Sequence, residues 1–372
     1  MKPQKYFLIL FLILFVLGCG KKEEEIIKIG AILPLTGEGA VYGEAVKNAA
    51  ELAIEKINKQ GGINGNRLMC IYEDSQGRSE LAVRVANKLI DMDNVNVIVG
   101  ALSSSEVLAI APILNKKQVI LISPAATNNE ISNAGEYIFR TIVSDIYDGA
   151  AMAKFAIEKL KIKSASVFYL NEAGPKGVAN AFVRNFEKSG GKNLLIESCI
   201  RGDKNYRTQI TSLKRTNSDA IYFALYPEET QNFVKQIREL NVDKILLTHQ
   251  LIDDPKVLKF LGKSADGIYF TTPGVELNNP NGNYSKFIQE YKLHYKTDPI
   301  NFTSNTFDAI MLISLAMKAE GINAINIKNY LLKVRDYNGA SGIFSFDING
   351  DIEQKMLIKI IENGKPTIYA KD

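Results

Sequence analysis

The stretch "IIKIGAILPLTGEGAVYGEAVKNAAELAIEKINKQGG", Ile26 to Gly62, reads as an apolar strand, a glycine-rich loop and an amphipathic helix. Val46, Ala49, Ala50, Ala53 and Ile57 recur at three- and four-residue spacing, and Gly61-Gly62 supplies a helix stop. Strand, glycines and helix in this order also describe a phosphate cradle. The spacing argues against one. Gly37, Gly39 and Gly43 run G-x-G-x-x-x-G, one residue longer than the dinucleotide fingerprint, and no Gly-Lys-Ser/Thr follows. The acidic pair Glu73 and Asp74 falls about thirty residues past Gly43, beyond the roughly twenty expected of a ribose ligand.

The strand–helix unit then repeats. "RLMCIY" precedes a helix with Ala82, Val85, Ala86 and Leu89 on one face; "VNVIVG" precedes a helix near Val107 to Leu114; "VILIS" precedes "YIFRTI". After a helix from about Asp145 to Leu160 the pattern restarts with "SASVFYL", "NLLIESCI", "AIYFALY", "KILLTH" and "GIYFTT". Near-continuous apolar strands separated by helices predict parallel sheets covered on both faces. Three helices follow, around Tyr284 to Tyr295, Ser304 to Ala319 and Ile327 to Val334, and then a terminal hairpin, "MLIKIIENGKPTIY". The expected organisation is two α/β lobes in sequence, consistent with 372 residues at about 150 per domain.

The N-terminus fixes the compartment. Lys2 and Lys5 precede an apolar run from Tyr6 to Leu17, too short for a mature span and laid out as a secretion signal. Val16-Leu17-Gly18-Cys19 resembles the lipobox of bacterial lipoproteins, which implies a signal peptide over 1–18 and a lipid on Cys19. Residues 19–25, rich in Lys and Glu, form a solvated tether. No later segment offers a membrane span, because the apolar stretch from Ala309 to Ala319 is broken by Ser314 and Lys318. The expected location is therefore extracytoplasmic, anchored by lipid to a membrane.

The formal net charge is +4, and loss of Lys2 and Lys5 with the leader brings it to +2. That balance gives no sign of a nucleic-acid partner. Cys70 and Cys199 sit in apolar strand-like runs in different lobes and read as buried small hydrophobes. His249 and His294 stand apart from the cysteines, so no metal site and no cofactor are expected.

In open parallel sheets ligands bind beyond the carboxyl ends of the strands. The loops there hold the unusual residues. "SSSE" at Ser103 to Glu106 and "SPAATNN" at Ser123 to Asn129 are hydroxyl-rich turns leading into helices, where hydroxyls and free N–H groups suit a small carboxylate. Tyr42 and Tyr226 follow strands and can give a pocket an apolar wall with a polar handle.

The order of "GAILPLTGEGAVYGEA", "YEDSQGRSELAVRVANKLI", "VIVGALSSSEVLAIAPI", "LISPAATNNEIS" and "YPEETQNFVKQIREL" resembles the leucine/isoleucine/valine-binding proteins of bacterial ABC transporters. The likeness runs from about Ile26 to the C-terminus. It implies the two-lobed type I periplasmic-binding-protein fold, α/β in class, each lobe a mostly parallel sheet flanked by helices, with three crossovers between lobes. The expected division is 26–143 plus 274–341 for lobe 1 and 144–273 plus 342–372 for lobe 2.

Carried onto this chain, the resemblance makes Ser104 a ligand for an α-carboxylate and Thr127 a second contact to the amino acid. Ala125 would offer its backbone carbonyl to the ammonium, and Tyr42, Tyr226 and Phe302 would line the pocket. The second lobe departs. An acidic residue that commonly meets the ammonium is replaced by Gln250, which accepts a hydrogen bond without a countercharge. A tyrosine common after the lobe's first strand corresponds to about Gly174. Either Asp148, Glu228 or Asp253 supplies the missing charge, or the ligand is a carboxylate or amide without an ammonium. The positions of a cysteine bridge seen in some relatives fall near Gln76 and Ser103.

The expected function is capture of an amino acid, branched-chain or similar, by lobe closure, for delivery to an ABC permease. A sensor that reports occupancy to a membrane signalling partner would use the same clamshell. An enzyme is not expected: there is no G-x-S-x-G and no H-E-x-x-H, and His249 alone is the one candidate base in a cleft loop.

Overall fold

The computed structural model describes residues 25–274 and 280–369. The leader 1–18, Cys19 and the tether up to Glu24 lie outside the described residues.

The first sheet is built from β1 (Ile26–Leu33), β2 (Arg67–Asp74), β3 (Val97–Gly100), β4 (Ile120–Ser123) and β5 (Ile138–Arg140), all parallel in the order β2-β1-β3-β4-β5. Its connecting helices are α1 (Ala40–Lys59), α2 (Ser79–Asp91) and α3 (Ser104–Lys117). Every residue of β3 and β4 is buried, because both faces are covered. Period-two alternation divides them: Val97, Val99, Ile120 and Ile122 face one core with Ala49, Ala53 and Ile57 of α1, while Ile98 and Leu121 face Val107 and Ile110 of α3. Each such fully buried Val or Ile contributes roughly 1.5–3 kcal/mol.

The chain crosses after β5 into α4 (Asp145–Glu158) and builds the second sheet from β6 (Ser164–Leu170), β7 (Lys192–Cys199), β8 (Ala220–Ala224), β9 (Ile245–Thr248) and β10 (Ile268–Pro273). These alternate with α5 (Ala173–Lys188), α6 (Arg207–Arg215), α7 (Pro227–Glu239) and α8 (Pro255–Leu261). It then returns to the first lobe through α9 (Asn283–Tyr295), α10 (Thr303–Glu320) and α11 (Ala324–Leu331), where Ile310, Ile313 and Met317 of α10 pack against α1. A small antiparallel sheet follows: β11 (Tyr337–Gly339), β12 (Gly342–Phe346) and β13 (Ile352–Glu353). The chain ends in the hairpin β14 (Met356–Glu362) and β15 (Lys365–Ile368), which extends the second sheet to β15-β14-β10-β9-β8-β6-β7.

One boundary differs from expectation. Residues 342–353 do not join lobe 2: Phe344, Phe346 and Ile352 are buried in the first lobe's core, and the Phe346 ring meets Phe139 edge-on at 5.6 Å. The third crossover therefore lies between β13 and β14. "GIFSF" places its two phenylalanines on one strand face, and only the first lobe offers that face a core. Cys70 and Cys199 are both free thiols, one in each lobe.

Candidate ligand-binding site

A cavity of about 480 Å³ lies between the lobes, beyond the carboxyl ends of their strands. Tyr42, Ser104, Ala125, Thr127, Tyr226, Gln250 and Phe302 all line it.

On the first lobe, Ser103 caps α3 and forms a capping box with Glu106, which leaves Ser104 as the first helical residue. Ser104 is buried; its Oγ accepts the N–H of Asn128 at 3.2 Å, so its hydroxyl proton is free to donate. The carbonyl of Thr127 accepts the N–H of Asp145 at 2.8 Å, and its hydroxyl lies near enough to the Asp145 carboxyl to oppose the rise in its pKa. Tyr42 stands in the first turn of α1 rather than in the loop before it, with its ring 6.1 Å from that of Phe302.

Second-lobe groups close the other side. Tyr226 caps α7 ahead of Pro227, and the Arg201 guanidinium lies 5.8 Å from its ring centre. Gly174 lies beside both lobes' polar groups: a Cβ there would make ordinary contacts, 3.5 Å from the Tyr226 oxygen and 3.6 Å from Ser104 Oγ. Gln250 opens a short 3-10 turn directly after β9. His249 is buried and donates from Nε2 to the carbonyl of Leu225 at 3.2 Å, while burial lowers its pKa to about 4. A neutral ring with that proton committed to a carbonyl is a structural lining residue rather than a poised base.

The three candidate countercharges separate. Asp253 is absent from the cavity lining; it lines a smaller neighbouring space and pairs with Lys359 at 2.7 Å. Glu228 sits at the rim with its side chain 59% exposed, 3.9 Å from Lys204. Asp148 lines the cavity and is buried; its Oδ1 accepts the Thr271 hydroxyl, and burial raises its pKa to about 7.

Among the further carboxylates of the lining, Asp145 and Asp254 escaped the sequence reading. Asp145, at the start of α4, is buried, and burial raises its pKa to about 8, with Asp148 adding like-charge repulsion and Thr127 opposing it. Its Oδ2 has no hydrogen-bond partner among the described residues. A Cβ on Gly177 would come within 2.4 Å of that oxygen, so any larger residue there would have to push the carboxyl aside. Asp254 divides its oxygens: Oδ1 caps α8, accepting from Lys256 and Val257, and Oδ2 accepts the Tyr42 hydroxyl at 2.7 Å. "DDPK" carries the signal of a helix cap before proline. The bond to a tyrosine 212 residues away has no local signature.

Among the described residues, side-chain contacts that cross the cleft include Tyr42 to Asp254, Arg201 Nε to Glu38 at 3.1 Å, and the Asn128 amide to the Ala173 carbonyl. They hold the lobes closed over the cavity. Tyr42→Phe removes a charge-assisted hydrogen bond worth about 1.5–3 kcal/mol. Because the bond forms only on closure, affinity is expected to fall by about tenfold or more for every ligand tested, whatever its side chain. A calorimetric ligand series checks this; a loss confined to one ligand would assign the tyrosine to side-chain recognition instead.

A protein-family model described as periplasmic binding protein matches residues 26–365. The chain is similar to a Leu/Ile/Val-binding protein homolog of Brucella melitensis, 28% identical over 330 residues that cover 88% of each chain. It is similar in structure to a leucine-binding protein of Thermotoga maritima, 29% identical with a TM-score of 0.85 over 92% of this chain and 98% of that one. A solute-binding protein of an R. palustris ABC transporter, solved with benzoate, shares the fold at 21% identity and a TM-score of 0.83, over 92% of this chain and 95% of that one.

Proposed function

This chain belongs to the periplasmic binding protein family, and from that premise we propose that it captures an amino acid, branched-chain or similar, by lobe closure and delivers it to an ABC permease. The observation that carries the reading is the pairing, in the lining of one cavity, of a hydroxyl-lined helix start at Ser104 with Asp145, whose buried carboxyl keeps one oxygen without a partner among the described residues. The first suits an α-carboxylate and the second an α-ammonium. In this arrangement Ser104 and Thr127 hold the carboxylate. The Ala125 carbonyl and Asp145 hold the ammonium, and Tyr42, Phe302 and Tyr226 wall in the side chain. Asp145 answers the charge that Gln250 lacks, with Asp148 behind it. The leader 1–18 and Cys19 support an extracytoplasmic protein tethered by lipid at the membrane that holds the permease.

The branched-chain reading also draws support from the relatives named for leucine, isoleucine and valine. A second reading, an aromatic or other simple carboxylate, is favoured by one observation: Gln250 brings no charge from β9. A thermal-shift panel of the common amino acids, their amides and benzoate separates the two, with the largest shift expected for an α-amino acid. Ser104→Ala and Thr127→Ala are each expected to weaken that ligand about tenfold or more while the melting temperature without ligand stays within a few degrees. Unchanged calorimetric affinity in both variants would remove the carboxylate end of the site.

A further inference from the structure

Beside the ligand cavity, near the segments at Ile142 and Pro273 where the chain crosses between lobes, lies a second chamber of about 290 Å³. Phe302 and Gln250 line both spaces and form the partition between them. Phe302 holds this place at a cost: it caps α10 with φ 74° and ψ −10°, in the left-handed region that a bulky side chain avoids. An aromatic kept in such a conformation is held there by its surroundings, here Tyr42 on the ligand side and the apolar cluster under β1.

The chamber differs in chemistry from the cavity it adjoins. Its charges are already matched, Lys359 with Asp253, both more than three-quarters buried. One of its lining residues, Asn301, carries a neutral donor, Nδ2, that is buried without a hydrogen-bond partner among the described residues. A buried donor left unpaired is destabilising, and an incoming acceptor recovers that loss. A charged ligand end would instead compete with the ion pair.

We propose that Phe302 and Gln250 set the length of the ligand, and that the chamber behind them is a second subsite for an uncharged side-chain end bearing a hydrogen-bond acceptor, such as a carboxamide or ureido group. With the partition in place the site takes short apolar side chains. With it shortened, the chain reaches Asn301. This rests on the amino-acid reading of the main site.

The test uses Phe302→Gly, which opens the wall and relieves the positive φ, and Phe302→Ala as a second variant. Both are titrated calorimetrically with L-leucine, L-glutamine and L-citrulline. The affinity ratio of citrulline to leucine is expected to rise at least tenfold over the wild-type ratio, and Asn301→Leu in the Phe302→Gly background to reverse the gain. An unchanged ratio in both variants, with leucine still bound by the wild type, overturns the subsite and leaves the main reading standing. If the wild type binds no amino acid, the main reading fails. The crystal structure of Phe302→Gly then decides the chamber: one continuous space reaching Asn301 supports it, and a re-formed wall overturns it.

Discussion

Arg140→Ala is expected to lower stability by about 3–5 kcal/mol, among the largest single losses available outside the apolar core. The guanidinium is fully buried at the end of β5. Its Nε and one terminal nitrogen grip Asp351 at 2.6 and 2.7 Å, and the remaining donors reach the Asn128 carbonyl at 2.8 Å and the Ser132 hydroxyl at 2.7 Å. One side chain thereby ties the first sheet, the hydroxyl-rich loop of the site and the segment between β12 and β13. Removing it strands the Asp351 carboxylate in a dry site, which is where the cost arises. In a protein of this size the melting temperature should fall by on the order of 10 °C, read by calorimetry. An Arg140→Met, Asp351→Leu double variant should recover much of the loss, because no charge is then left uncompensated. A single variant that melts within about 2 °C of wild type would show that the network does not hold the lobe together.

Asp145→Asn is expected to weaken an amino-acid ligand by at least tenfold and to abolish a proton exchange that accompanies binding. Burial raises the Asp145 pKa to about 8, so near neutrality the free protein holds its proton. An ammonium placed against the carboxylate favours the ionised form and expels that proton. Binding enthalpy near pH 7 should therefore depend on the ionisation enthalpy of the buffer, and affinity should rise as pH climbs from 6 through about 8. A ligand with only a carboxylate would act in the opposite sense, taking up protons. Without ligand, the raised folded-state pKa means that Asp145 opposes folding once ionised. Stability associated with it is present near the ordinary carboxylate pKa of about 4 and is lost as pH rises through about 8. Asp148, raised to about 7 by burial, acts in the same direction. The melting temperature of the ligand-free protein should accordingly fall between pH 6 and 9, with a shallower slope in Asp145→Asn.

The parts of this molecule that were legible in sequence are those with local period. Apolar runs such as "VIVG" and "LLT", separated by helices spaced at three and four, carry the two parallel sheets because both faces of each strand must be covered. The loops after those strands carry Ser104, Thr127, Tyr226 and Gln250, and strand direction alone brings them to one cavity. What sequence does not show is contact across the cleft. Asp254 reads as a helix cap and is one, yet its second oxygen meets Tyr42 from the other lobe. Asp145 reads as the opening acid of a helix, and the close approach of Gly177 that helps to bury it comes from a residue that is not its neighbour in sequence. The strand β12 is misassigned for a related reason: two phenylalanines one residue apart announce a buried face without saying which core receives it.

The most direct test of the central claim is a calorimetric titration of the wild-type protein near pH 7 with L-leucine, repeated in two buffers of different ionisation enthalpy, with benzoate titrated alongside. Saturable binding of leucine at one site, with proton release and no heat from benzoate, is the expected result. Saturable binding of benzoate with none for leucine or any other α-amino acid would contradict it.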